Sequence, residues 1–380
     1  MSYQTPSGAG ALRLHLNENT AGCSPRVLEA IRSLTPWDIA TYPDYAATTT
    51  RCEAYFDVPA GWVQLVNGLD EGLRLVAATA SQTEKTSGVF SQKRSSFEEN
   101  WLEKRRRVSF SMKKTPDVFL GDFLGEVIYP EPAFEMYRIC AEAVGLVARG
   151  IPPKPDFAFP LEELIDASAR AGAIYLTDPN NPTGLGIPAG AVDRIAAAAP
   201  QALVLVDEAY ADFSGRTLIG SLLDQRRNVI VGRTFAKGHG LAALRIGALV
   251  GHPDALAPLR ELMPPFTLNI AALRALEVAL DDEPWLRAFV QQAVASRDAI
   301  YGFCDARGLH YWRSEANFVL VRVGPDASAV VAALADRGIL IRDRSIQPGC
   351  DGCVRISAGA IDATTRCLTA LEDVLAARHN

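Results

Sequence analysis

Three short runs constrain the fold more than anything else in this chain. Residues 173–177 (Ala-Ile-Tyr-Leu-Thr), 203–206 (Leu-Val-Leu-Val) and 229–232 (Val-Ile-Val-Gly) are continuous and apolar, without polar alternation. A strand with one wet face alternates; a run this uniform is a strand covered on both faces. Similar runs occur at 126–129 and 246–250, and a shorter one begins at Val63. Helical spacing fills much of the sequence between them, which predicts an α/β fold with a large, mainly parallel sheet. In such a sheet the chemistry gathers where the strands end at their carboxyl side.

The rest of the chain fits around that sheet. At roughly 150 residues per domain, 380 residues give about two or three domains. An N-terminal arm leads to a helix opened by Ser24-Pro25, with Val27, Leu28, Ile31 and Leu34 at helical spacing. Past about residue 270 come long helices, then strand-like runs at 317–322, 339–342 and 353–357, which read as a smaller α+β unit. The boundaries read as 1–36 for the arm and part of the small domain, 37–265 for the large domain, and 266–380 for the small C-terminal domain. Residues 82–120 interrupt the pattern with nine basic and five acidic residues. That makes this stretch net +4 and leaves −10 for the remainder. Its 39 residues are far beyond usual loop lengths, so it is expected to lie outside the compact fold.

Composition excludes several classes. Hydrophobic residues make up 48% and charged residues 22%, as in globular proteins. A net charge of −6 gives no basic footprint for nucleic acid. No run of 18 apolar residues is present, and the first residues lack the basic start and apolar stretch of a signal peptide. No membrane association and a cytoplasmic location are expected. Seven scattered cysteines do not make a disulfide framework. Cys350-Asp351-Gly352-Cys353 has the spacing of a metal or redox pair. It has no second pair beside it, so it reads as a loop cysteine followed by one entering a strand, and no metal site is expected.

The strand ends carry the chemistry. Asp178-Pro179-Asn180-Asn181 follows the first run, Asp207-Glu208-Ala209-Tyr210 the second and Thr234-Phe235-Ala236-Lys237 the third, with Arg245 eight residues further on. A carboxylate at the end of a buried strand is costly unless a cation meets it. Gly68-Leu69-Asp70-Glu71 starts a helix after a strand, and helix N-termini bind phosphate through their open N–H groups. Phe134 follows Pro130-Glu131-Pro132 and offers an aromatic face. An amine, a carboxylate, a phenol, an amide, an aromatic ring and a phosphate cradle together match pyridoxal 5′-phosphate, whose ring is an electron sink.

From about Leu14 to Ala370, residues 82–120 excepted, the sequence resembles the fold-type I aminotransferases, and within them the histidinol-phosphate aminotransferases. The likeness rests on Asn17-Glu18-Asn19, Tyr42-Pro43-Asp44, Asn67-Gly68-Leu69-Asp70-Glu71, Pro132 to Tyr137, Asn180 to Gly184, Asp207 to Tyr210, Thr234 to Lys237, Arg342 to Gly349 and Gly352 to Ile356. It implies a catalytic role for Lys237, which would hold the cofactor covalently and carry the proton to and from the substrate carbon. Asp207 would pair with the ring nitrogen, Tyr210 and Asn181 would bond its 3-oxygen, and Phe134 would stack on it. The amides of Leu69 and Asp70, with Thr234 and Arg245, would hold its phosphate. Tyr42 would reach the phosphate in a neighbouring subunit, which implies a homodimer. Arg355 and Arg342 would bind substrate anions. The implied reaction moves an amino group between L-histidinol phosphate and 2-oxoglutarate, releasing glutamate. An aromatic amino-acid aminotransferase and a threonine-phosphate decarboxylase are the alternatives. Three positions depart from the family pattern. Ala236 stands where Ser is frequent, Phe134 where Tyr is usual, and the arm Asn17 to Gly22 lacks a common aromatic.

Overall fold

The computed structural model describes residues 10–87 and 125–377, and for 83–87 the backbone alone. Thirteen strands occur among the described residues. In the first half these are β1 (Leu12–Arg13), β2 (Val63–Val66), β3 (Glu126–Pro130), β4 (Val147–Ile151), β5 (Ala171–Thr177) and β6 (Leu203–Asp207). The second half adds β7 (Val229–Thr234), β8 (Gly247–Gly251), β9 (His310–Tyr311), β10 (Phe318–Arg322), β11 (Ile339–Leu340), β12 (Arg342–Asp343) and β13 (Cys353–Ser357).

Seven of these form one sheet in the order β2-β8-β7-β6-β5-β3-β4. Neighbours from β7 through β4 are parallel, while β8 runs against both β7 and β2. The apolar runs explain why it is central. In β5, β6 and β7, Ile174, Leu176, Val204, Val206, Val229 and Val231 point into one buried cluster. The alternate residues Ala173, Tyr175, Leu205 and Ile230 point into another on the opposite face. Each fully buried aliphatic side chain contributes roughly 1.5–3 kcal/mol, so these strands need both covers.

The helix Leu69–Ser87 lies on one of those faces and runs close to it. A Cβ on Gly232 would come within 2.6 Å of Leu69 Cδ1, so glycine there lets the helix start directly over the strand ends. That helix continues through residues 82–87, six positions into the stretch that the sequence set apart. The unusual segment therefore begins beyond Ser87, because helical continuity overrides the polar composition of Gln82 to Ser87. Residues 88–120, which carry most of its charge, lie outside the described residues.

A second sheet, β12-β13-β10-β9, is antiparallel. The arm strand β1 pairs in parallel with β11. Leu14 is buried in the same cluster as Val319, Val354 and Ile356, so the arm packs with the smaller sheet. The helices Pro25–Arg32 and Ile270–Leu280 instead place Val27, Ala272 and Leu276 in the core of the large sheet. Cys353 opens β13 and is buried, as read from its place in the sequence. No helix among the described residues is long and apolar enough to cross a membrane.

Candidate active site

At the carboxyl ends of the parallel strands, a cavity of about 640 Å³ opens between the large sheet, the arm and β13. Asp207 lines it from the end of β6, Thr234 from the end of β7 and Lys237 from the turn that follows, with Asn181 and Tyr210 from the loops after β5 and β6. Leu69 and Asp70 line it from the helix start, and Phe134, Arg245 and Arg355 complete the wall. Ten of the twelve site residues read from the sequence thus meet in one place.

Asp207 is the last residue of β6, level with Thr177 in β5 and Gly232 in β7. The register puts its side chain at the cavity floor. Its Oδ1 accepts from the backbone N–H of Ala209 at 3.0 Å and its Oδ2 from the Tyr137 hydroxyl at 3.0 Å. Tyr137 has one proton to give, so it takes the Thr177 hydroxyl as a second partner. Burial raises the Asp207 pKa to about 6, against those two hydrogen bonds. A carboxylate in this state is stabilised by any cation that enters the cavity beside it. Tyr137 was quoted in the sequence reading only as part of a resembling segment. Its place one helical turn after Phe134 was the available signal.

Lys237 points inward and donates from Nζ to the Leu16 carbonyl of the arm at 2.9 Å. Burial lowers its pKa to about 8, and the nearby Arg355 pushes the same way. An amine that loses its proton near neutral pH is suited to nucleophilic and proton-transfer work.

The anion cradle is built from backbone geometry. The first-turn N–H groups of a helix have no carbonyl within it to bond, and Leu69 and Asp70 occupy that turn. Arg245 lies against Gly68 and gives Nη2 to Asp70 Oδ2 at 3.0 Å. Gly68 has φ +71°, which favours glycine, and a Cβ there would sit 2.6 Å from that Nη2 and push the guanidinium aside. The Thr234 hydroxyl stands on the same wall and caps the Ala236 N–H at 3.2 Å.

Two site residues stand elsewhere. Tyr42 is 79% exposed and stacks on Phe266, with ring centres 4.3 Å apart, and does not line the cavity. Arg342 does not line it either and lies 3.9 Å from Glu135. The arginine that does is Arg344, two positions on, which is buried and donates to Glu135 Oε1 at 2.6 Å. Arg342 is paired with Arg355 in the β12–β13 ladder, and Arg344 lies just past Asp343, where that strand ends. Spacing in the sequence could not tell which arginine the turn presents. Arg355 gives Nη1 to the Asn181 side-chain oxygen and Nη2 to the His15 carbonyl at 2.7 Å. The arm residues Arg13 and Glu18 pair at the cavity rim, 2.7 Å apart.

A strand-end lysine of lowered pKa, a buried carboxylate and a helix-terminal anion cradle define an α/β enzyme built around an anionic, carbonyl-bearing group. The comparisons agree with that class. Residues 121–371 match aminotransferase class I and II, and the chain belongs to that family. A histidinol-phosphate aminotransferase of Symbiobacterium thermophilum is 32% identical over 372 residues, covering 96% of this chain and 90% of the relative. Among solved structures, the histidinol-phosphate aminotransferase of Sinorhizobium meliloti in complex with pyridoxal-5′-phosphate superposes with a TM-score of 0.79. The identity is 24%, and the match covers 97% of this chain and 91% of that one. An L-threonine-O-3-phosphate decarboxylase from Porphyromonas gingivalis reaches 0.71 at 18% identity, covering 96% and 99%. The protein is an aminotransferase of fold-type I.

Proposed function

We propose that this enzyme transfers the amino group of L-histidinol phosphate to 2-oxoglutarate, with pyridoxal 5′-phosphate as cofactor. The observation that carries the cofactor reading is the cradle. Gly68 leaves room for Arg245 above an open helix start, while Lys237 and Asp207 face the same space. Bound there, the cofactor supplies an electron sink for the carbon that gives up its proton. Lys237 holds it and moves that proton. Asp207 meets the ring nitrogen, Phe134 covers one face, and Asn181 and Tyr210 bond the ring's oxygen. Leu69 and Asp70 amides, Thr234 and Arg245 hold the phosphate.

The amine's protonation sets a pH dependence. With a pKa near 8, Lys237 gains its free lone pair as pH rises through about 8, well below the 10.5 of an ordinary lysine. In protein stripped of cofactor, labelling of Lys237 by a carbonyl reagent should therefore rise through pH 8. Mass mapping reads it, since Lys154 is the sole other lysine outside 82–120. A midpoint near 10.5 would contradict the burial argument.

Substrate choice rests on the arginines. Arg344 and Arg355 give the cavity two buried cations beyond the cofactor cradle, which suits a substrate bearing a phosphate better than a plain aromatic amino acid. A charge-assisted hydrogen bond contributes about 1.5–3 kcal/mol, on the order of 10–150-fold. Arg344→Ala should lower kcat/KM for histidinol phosphate by that factor while changing phenylalanine turnover far less. Arg342→Ala should do less to histidinol phosphate. Equal losses for both amines in Arg344→Ala favour the aromatic aminotransferase instead.

The working form is a homodimer in the cytoplasm. Trp37, Ile39, Tyr42 and Phe266 are all large, apolar and more than half exposed, and a second copy covering them would bring Tyr42 to its own cavity. In each copy the large sheet carries the main cofactor-binding unit, joined by the helices Pro25–Arg32 and Ile270–Leu280, while the arm strand belongs with the smaller C-terminal sheet.

A further inference from the structure

Asn17 is 1% exposed and sits with φ +56°, a left-handed conformation that asparagine tolerates better than most residues. Three contacts fix it there. Its N–H donates to Ser357 Oγ at 3.0 Å, Ser357 Oγ donates back to Asn17 Oδ1 at 2.9 Å, and Asn317 Nδ2 donates to its carbonyl at 3.1 Å. Ser357 ends β13 and Asn317 precedes β10. These bonds settle which way the amide faces. Its oxygen is turned to Ser357, so its NH₂ faces the Tyr210 hydroxyl oxygen, at 3.0 Å.

A phenol has one hydrogen and two lone pairs. With Asn17 donating into the Tyr210 oxygen, that oxygen is engaged as an acceptor, and its hydrogen is left for an acceptor in the cavity it lines. Hydrogen bonds in a chain strengthen each other, so a phenol that accepts also donates better. The Asn17 contact eases the upward pull of burial on the Tyr210 pKa, which fits a strengthened donor.

We propose that Asn17 is a positioning residue. It holds Tyr210 as a donor to the cofactor's ring oxygen, and through Ser357 it ties the cofactor's proton affinity to the seating of the arm on the small sheet. This rests on the reading that Tyr210 meets that oxygen. A donor there draws charge from the ring oxygen, so the neighbouring cofactor proton leaves at a lower pH. Loss of Asn17 then raises the pH at which it leaves.

The test is a spectrophotometric pH titration of the bound cofactor's visible band in the holoenzyme. Asn17→Gly keeps the backbone conformation accessible and removes the donor. It should raise the midpoint by about 0.5–1 pH unit, the size of one neutral hydrogen bond. Tyr210→Phe should raise it at least as far, and adding Asn17→Gly to Tyr210→Phe should move it no further. Asn17→Ala also loses the donor and adds no charge, so it should raise the midpoint likewise, and it serves if the glycine variant does not fold. A midpoint unchanged by both Asn17 variants, with Tyr210→Phe shifted, overturns the proposal. So do shifts that add in the double variant. If Tyr210→Phe itself leaves the midpoint in place, the underlying reading of Tyr210 has failed, and the proposal falls with it.

Discussion

Lys237→Ala is expected to lose amine transfer by at least roughly 10²–10⁴-fold, the usual share of a positioned proton-transfer group. Loss of the covalent hold comes on top of that. Among the described residues no other amine lines the cavity, where the remaining cations are guanidinium groups. Rates measured with histidinol phosphate as donor decide this. The variant should still fold, because the side chain gives up only its bond to the Leu16 carbonyl. Activity within tenfold of the parent would remove Lys237 from the chemistry.

Asp207→Asn is expected to be nearly as damaging, for a different reason. The amide keeps the shape and one acceptor but carries no charge to hold a proton on the ring nitrogen. Removing one partner of a buried ion pair costs about 3–5 kcal/mol, on the order of 10²- to 10⁴-fold. The amide must also turn one NH₂ toward either the Ala209 N–H or the Tyr137 hydroxyl, both of which donate to Asp207. Cofactor affinity and the rate of the first half-reaction should both fall. An Asp207→Asn variant that binds cofactor and reacts like the parent would separate this carboxylate from the ring nitrogen.

Much of this site was legible before any coordinates, because the same burial that makes a strand apolar leaves its polar end conspicuous. Leu203 to Val206 could only be a covered strand, and Asp207 immediately after it had to be paired or functional. Lys237, Asn181 and Tyr210 were found by the same logic. What was missed lies where sequence carries no such contrast. β4 alternates exposed and half-buried residues over Val147 to Gly150 as an edge strand, and its glycine and arginine hide it. Nothing in 246–250 shows that β8 runs opposite to its neighbours, since direction leaves no mark on an apolar run. Arg342 lies within β12 and Arg344 one residue past its end, a difference that two arginines two positions apart do not show in sequence. The Asn17 contacts to Ser357 and Tyr210 span 340 and 193 positions, and no local pattern encodes them.

The central claim is tested most directly by a half-reaction. Purified holoenzyme mixed with L-histidinol phosphate alone should lose the cofactor's visible band in a single turnover, and 2-oxoglutarate should restore it with release of glutamate. An unchanged band with histidinol phosphate contradicts the account. Release of CO₂ from threonine phosphate without any need for 2-oxoglutarate would make the enzyme a decarboxylase.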